Sequence, residues 1–263
     1  RLNPIAEDSA SLPLLQYEAL RRGYIFETRN VFTNACVYVE EDWKNSVFSR
    51  SKHVKRLAGM EQKLRQQGQL KYTEYRSPAE LMKSYDEVLD IERRSWKWKK
   101  GVTINSAPYR DFYRLFAEEA SRKGWLRLAM MEVNEKRIAY DYNVQYEGNL
   151  EALKCSYDLA YCYLSPGHLL AFMEFRLFAE EVIKKINLLW GDFESKERWK
   201  PKQEAHYEIF IFNTDLYSRF LHFLHFGLGL YRKRRIILDI MKRAMRKMGF
   251  RCRTSELTRS DQK

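Results

Sequence analysis

The chain has 263 residues, 45% of them hydrophobic and 14% aromatic, and 47 Lys and Arg against 35 Asp and Glu give a formal net charge of +12. Such a composition excludes a disordered chain and fits an acidic partner: nucleic acid, anionic lipid, a phosphorylated cofactor or an acidic polymer. No apolar run of about 18 residues or charged leader is seen, and Cys36, Cys155, Cys162 and Cys252 lack CxxC or zinc-like spacing, so the expectation is a cytoplasmic protein without a membrane span, signal peptide, disulfide scaffold or metal.

A short helix is predicted over residues 13–22, followed by two strand-like pieces, "GYIFETR" and "ACVYVE". Residues 50–71 form a basic helix ending at Gly68, with seven Lys and Arg against the single acid Glu61, either a solvated face or a grip on an acidic ligand. After the strand "QLKYTEY", Ser77 and Glu80 have capping-box spacing and start a helix from Pro78 that "ERRSWKWKKG" closes. Pro108 opens the first turn of the next helix, which is expected to bury Phe112, Leu115, Phe116 and Ala120 and to stop at Gly124.

Three strands follow, "WLRLAMMEV", "RIAYDYNVQYE" and "LEALKCSYD", joined by short polar turns as an antiparallel meander. In the second strand Ile138, Tyr140, Tyr142 and Val144 alternate with Ala139, Asp141, Asn143 and Gln145, giving an apolar and a polar face. The aromatic run "YCYL" reads as strand and meets a Ser-Pro-Gly corner at 165–167. A helix then carries a stripe of Leu169, Phe172, Phe175, Ala179 and Val182, and the strands "INLLWG" and "HYEIFIFN" complete the sheet before helices broken near Gly227 and Gly229. The order predicts a mixed α/β (α+β) layer around a twisted, mostly antiparallel sheet.

The corner combines features suited to an anion. A helix N-terminus offers unpaired amides and partial positive charge, Gly167 leaves room for a phosphate, Ser165 and His168 add donors, and Pro166 sets the turn. The same residues also make an ordinary helix start.

Four stretches carry a resemblance: "ERRSWKWKKG", "GWLRLAMMEVNEKRIAYDYNVQYEG", "YDLAYCYLSPGHLL" and "GDFESKERWKP". In this order they resemble the GNAT-like acyltransferase family of the cellulose or polysaccharide biosynthesis type, itself related to the Fem peptidyl transferases. The resemblance covers residues 31–213 and implies a GNAT-like domain there, with residues 1–30 ending a preceding GNAT-like half and 214–263 forming a basic helical extension; the start at Arg1 rather than Met is read the same way. It further implies transfer of an acyl group from acyl-CoA, without a metal, to an amine or hydroxyl of a small-molecule or saccharide acceptor in polysaccharide or cell-envelope biosynthesis. The corner has one glycine where the GNAT loop has two, and the Fem relatives use aminoacyl-tRNA, so a tRNA-borne acyl group is the alternative donor. A non-catalytic module that binds membrane or nucleic acid is the other alternative.

On this resemblance, amides beside Tyr163 and Leu164, at a splayed strand end, would polarise the acyl carbonyl. Leu164, Ser165, Pro166, Gly167, His168 and Leu169 would hold the carrier, with the amides of Gly167, His168 and Leu169 on its phosphates. Asp158 or Glu194 would be the base and Tyr161 or Tyr163 the proton source, with Asp141 a weaker base. Trp96, Lys97, Asp141, Lys196 and Trp199 would line the acceptor cleft, the tryptophans being core or rim aromatics on the alternative reading. Residues 220–253 pass from an uncharged apolar run into a basic one, a pattern of helix packing, of a helix lying on an anionic membrane surface, or of nucleic-acid binding.

Overall fold

The structure, a computed structural model, describes residues 1–48 and 52–227. The described chain divides into two compact units, residues 30–206 and residues 1–29 with 207–227. Its strands are β1 (Leu2–Ala6), β2 (Ile25–Tyr38), β3 (Leu70–Tyr75), β4 (Leu126–Val133), β5 (Lys136–Tyr146), β6 (Asn149–Tyr157), β7 (Lys185–Asn187) and β8 (Lys202–Phe212). Its helices are α1 (Ser11–Arg21), α2 (Glu41–Phe48), α3 (Lys52–Gln67), α4 (Pro78–Arg94), α5 (Trp96–Lys99), α6 (Tyr109–Arg122), α7 (Pro166–Glu180) and α8 (Leu216–His222).

In the larger unit the strand order is β8-β2-β7-β6-β5-β4-β3. The β3-β4, β4-β5, β5-β6 and β2-β7 pairs are antiparallel and β6-β7 is parallel, so the expected mixed, mostly antiparallel sheet forms. Both faces are covered, which is why "LRLAMMEV" reads as a nearly continuous apolar run rather than an alternating one. Leu126, Leu128 and Met130 face the helix pair α4 and α6, packing with Leu81, Val88 and Ile91. Ala129, Met131 and Val133 face α3 and α7, with Leu57, Leu64, Phe172 and Phe178. The period of two thus divides one strand between two cores.

Local chemistry sets the helix boundaries. Ser77 Oγ accepts from the Glu80 amide and Glu80 Oε2 accepts from the Ser77 amide at 3.0 Å, closing the capping box that starts α4. α3 stops where Gly68 takes φ +148°. A Cβ there would lie 1.8 Å from Asn134 Oδ1, the atom that accepts from the Gln69 amide at 2.9 Å. Gly68→Ala is therefore expected to cost about 1–3 kcal/mol, read as a lower thermal midpoint; an unchanged midpoint would mean that Asn134 does not clamp this helix end.

Several expectations are corrected. The two strand-like pieces before residue 40 are one strand, β2, because Asn30 does not interrupt extended backbone. In α6, Phe112 and Leu115 are 58% and 64% exposed, while Ala117, Ala120 and Ser121 are buried. The helix approaches α4 through its small residues, which leaves Phe112 and Leu115 on the outside, while Phe116 is partly buried against the core. Val182, placed in the buried stripe of the following helix, lies beyond the end of α7 and is exposed.

In the smaller unit β1 lies beside the end of β8. Glu208 accepts from Arg1 and Arg29; burial acts to raise its carboxyl, but these hydrogen bonds prevail and hold it below the usual range. His222 of α8 meets Glu27 at 2.9 Å. The basic segment expected to touch a membrane lies mostly outside the described residues. Among the described residues no helix is long and apolar enough to cross a membrane.

Candidate active site

The Ser-Pro-Gly corner is built differently from the expectation. β6 ends at Tyr157, and Asp158 caps a 3-10 turn, Leu159–Leu164, by accepting from the Ala160 amide at 2.9 Å. Tyr161, Tyr163 and Leu164 therefore belong to a helical turn rather than to a splayed strand, and the carbonyl-polarising amides predicted there are not at a strand end. Ser165 then adopts the left-handed conformation, φ 48° and ψ 52°, and makes no side-chain cap. The amides of His168 and Leu169 turn back onto the Ser165 carbonyl at 3.0 and 3.1 Å, so two of the three amides expected on the phosphates are engaged by the protein itself. Pro166 and Leu169 are buried. Gly167 supplies room: a Cβ would come within 3.3 Å of the Tyr157 ring.

Beside this corner lies a cavity of about 290 Å³. Ser165, Gly167 and His168 border it, as do Trp96 and Lys97 of α5, Asp141 and Asn143 of β5, Glu174 of α7, and Lys196 and Trp199 of the segment before β8. Leu150, Phe175 and Phe178 give it an apolar wall. All five residues expected to line an acceptor cleft therefore meet in one cavity, although they come from three segments of the chain.

Their detailed roles differ from one another. Lys97 Nζ donates to the Cys155 carbonyl. Lys196 Nζ donates to the carbonyls of Leu189 at 3.1 Å and Trp190 at 2.9 Å, tying down the loop after β7, and burial lowers its ammonium below the usual lysine range. Trp96 is 37% exposed and carries Lys100 Nζ 5.2 Å above its ring. Trp199 is mostly a core residue, packed edge-on to Phe175 at 4.7 Å, and its carbonyl accepts from Trp43 Nε1 at 2.8 Å.

Neither residue first expected as the base sits in the cavity. Asp158 is 3% exposed and ion-paired to Arg94 and, at 2.9 Å, to Lys136. Burial alone would raise its carboxyl, but Lys136, the Ala160 amide and Arg94 together hold it below the usual carboxylate range, the opposite of what a base near neutral pH needs. Glu194 is exposed and away from the cavity lining. Tyr161 packs against the core under Lys136, 5.4 Å away, and Tyr163 is 62% exposed with its hydroxyl on Gln67.

The titratable group that does reach the cavity is a pair. Asp141 and Glu174 are 7% and 1% exposed and hydrogen-bond to each other, and Asn143 Nδ2 donates to Glu174 Oε1 at 2.9 Å. Burial raises the Asp141 carboxyl to about 6 and pushes Glu174 well above the usual range, the Asp141 charge adding to the second effect. Two carboxylates this close cannot both ionise, so they hold one proton between them near neutral pH. Sequence reasoning missed Glu174, although one signal was available: Leu170, Glu174 and Phe178 repeat every four residues and share one buried row of α7.

At the corner a second cluster is cationic. Arg198 Nη1 donates to His168 Nδ1 at 3.0 Å. Burial first, then the charges of Arg198, Arg56 and His53, push the His168 imidazole down to about 4, leaving it neutral at physiological pH. Arg198 Nε and His53 Nε2 are buried and lack a hydrogen-bond partner among the described residues. Two orphaned nitrogens beside the corner are a site that an anion would satisfy. No group of three His, Cys, Asp or Glu suited to a metal occurs among the described residues.

A family model described as "Acetyltransferase (GNAT) domain" matches residues 51–201, which contain the corner, the cavity and the meander. The chain belongs to this family. Among solved structures, the GNAT domain is similar to L-PGS from Bacillus licheniformis, with TM-score 0.53 and 12% identity over 83% of this chain and 69% of that one. It is also similar to the C-terminal domain (DUF2156) of a protein described as a lysylphosphatidylglycerol synthetase from Agrobacterium fabrum, with TM-score 0.52 and 12% identity over 76% of this chain. FemX gives TM-score 0.52 and 10% identity over 77% of this chain and 69% of that one. At these identities the likeness is one of fold, and the chain spans 65% of the length of the Agrobacterium structure. No curated protein sequence matches.

Proposed function

We propose that this GNAT domain is an acyltransferase that moves an acyl group from acyl-CoA to an amine or hydroxyl, with the carrier's phosphates at the corner and the reacting ends in the cavity. The observation that carries this reading is the continuity of the cavity from Ser165, Gly167 and His168 to the buried acids Asp141 and Glu174. Because the amides of His168 and Leu169 are engaged by Ser165, side chains would hold the phosphates, chiefly Arg198 and the neighbouring Arg56. Trp96, half-exposed at the cavity edge, suits stacking on a sugar ring, in keeping with an acceptor from polysaccharide or cell-envelope biosynthesis.

A second reading has a specific observation behind it. The FemX and L-PGS likenesses, together with the basic helix α3, favour aminoacyl-tRNA as the donor, in the manner of Fem-type transferases. The two readings separate by calorimetry with CoA, acetyl-CoA and long-chain acyl-CoA, set against aminoacyl-tRNA binding at increasing salt, which weakens phosphate contacts steeply. Arg198→Ala is expected to weaken the true donor about 10-fold or more. If it leaves the affinity for every donor unchanged, the carrier does not sit at this corner; if no donor binds the wild-type chain, the transferase reading fails and a non-catalytic module remains.

A further inference from the structure

Two kinds of buried carboxylate occur in the larger unit, and they are treated differently. Glu92, fully buried, accepts from the hydroxyls of Tyr140 and Thr103, each at 2.6 Å, and from the Ile104 amide at 3.2 Å. It joins α4 to β5 and to the segment before α6, which is a structural task. Asp141 and Glu174 have no such set of donors. Among the described residues neither forms an ion pair, and beyond each other only Asn143 donates a side-chain hydrogen bond, to Glu174. Apolar side chains of similar size at these positions would be expected to suit the core better, since burying an acid without a full set of partners costs stability. A pair kept at such a cost on the wall of a cavity points to chemistry.

We infer that Asp141 and Glu174 act as one proton-holding unit that takes the proton of the attacking amine or hydroxyl. This rests on the acyltransferase reading. The acceptor nitrogen or oxygen bonds to the acyl carbon, the bond between that carbon and the carrier's sulfur or oxygen breaks, and the acceptor's proton passes to Asp141. The electron pair of the broken bond leaves with the carrier, which is protonated by return of that proton directly or through water, so atoms and charge balance over one turnover.

The hydrogen-bond pattern assigns the two roles. Asn143 Nδ2 donates to Glu174 Oε1, so that oxygen is an acceptor and the proton of Glu174 sits on the other oxygen, toward Asp141. Asp141 is then the charged member and the base, and Glu174 its hydrogen-bond donor. The surrounding charges fit this assignment. Lys97 of α5 favours a charged Asp141, while Glu74 of β3 opposes a charge on Glu174 and Arg127 of β4 favours it. Cys155 of β6, Tyr72 of β3 and Tyr140 of β5 are the other titratable groups that feel the Asp141 charge. The Asp141 carboxyl, raised to about 6, is deprotonated at neutral pH yet still basic enough to accept a proton in the transition state.

The pair can be tested without a substrate. Carbon-13 NMR of the full chain labelled at Asp and Glu carboxyls should show one carboxyl titrating near 6 and a second that stays protonated beyond it, both signals lost in the Asp141→Asn, Glu174→Gln double variant. Ionisation of both carboxyls below pH 5 would overturn the shared proton. Transfer to ethanolamine, which offers both an amine and a hydroxyl, then tests the chemistry, using whichever of acetyl-CoA and aminoacyl-tRNA binds. The wild-type rate is expected to climb about tenfold per pH unit and level off above a limb near 6.

Asp141→Asn should lower kcat about 100-fold or more, leave the donor's KM within about twofold, and abolish the limb. Glu174→Met removes the hydrogen bond that lowers Asp141, so the limb should move to higher pH. Retention of both rate and limb in Asp141→Asn, in a chain that binds its donor, overturns this inference alone. Failure of the wild-type chain to bind any donor overturns the transferase reading and this inference together.

Discussion

Replacing Arg127 by Met is expected to lower the stability of the larger unit by about 3 kcal/mol, the low end of the range for breaking a buried ion pair. Arg127 is 1% exposed. Its Nε donates to Glu74 Oε1 of β3 at 2.6 Å, its Nη1 to Gln145 of β5 at 2.7 Å, and its Nη2 to Glu181, the residue that ends α7, at 3.0 Å. The guanidinium also stacks 4.6 Å from the centre of the Phe178 ring. Arg76 still reaches Glu74 at 2.6 Å and Glu181 at 3.3 Å, so neither carboxylate loses every cation, which places the cost at the low end. A loss of this size corresponds to a fall of about 6–12 °C in the thermal midpoint. Substituting Glu74 by Gln in the same chain should recover part of it, because a mostly buried charge left with Arg76 as its one cation is removed. A cost below about 1 kcal/mol would mean that the network acts as a surface cluster and does not anchor α7.

The anchoring matters because α7 joins the two halves of the candidate site. Its first turn carries the corner and its middle carries Glu174, while its last turn is fastened by Arg127. Fixing one end of a rigid helix sets where a carboxyl one to two turns away lies against Asp141.

What the sequence disclosed follows from how local each feature is. The capping box at Ser77 and Glu80, the stop at Gly68 and the three-strand meander depend on neighbours within a few residues, and all three appear in the structure. "YCYL" misled because aromatic residues favour strands, whereas Asp158 two residues upstream of Ala160 captures its amide and turns the chain into a 3-10 helix. Phe112 and Leu115 misled because periodicity marks an apolar face without saying which neighbour covers it. In the cavity, the polar face of β5 was legible as alternation. That it lies buried beneath α7, opposite a glutamate, is a tertiary fact that no window of sequence contains.

Asp158 provides the converse case, an acid that looked catalytic and is expected to be structural. Asp158→Asn should cost about 2 kcal/mol, within the range for hydrogen bonds to charged groups, because Arg94 and Lys136 lose their shared anion while Asn can still accept from the Ala160 amide. Arg94 and Lys136 are 26% and 48% exposed, so solvent limits the loss. The pH dependence has a definite sign. The folded carboxyl lies below its reference value of 3.8, so its contribution is complete above that value and disappears as pH falls through the folded value. Denaturant melts of the two chains should therefore differ fully at pH 6 and converge on acidification below the reference value. At pH 7.5 the transfer rate per folded molecule should match wild type. A stable Asp158→Asn chain with its rate reduced 100-fold would instead make Asp158 the base and reduce the Asp141 and Glu174 pair to a buried polar contact.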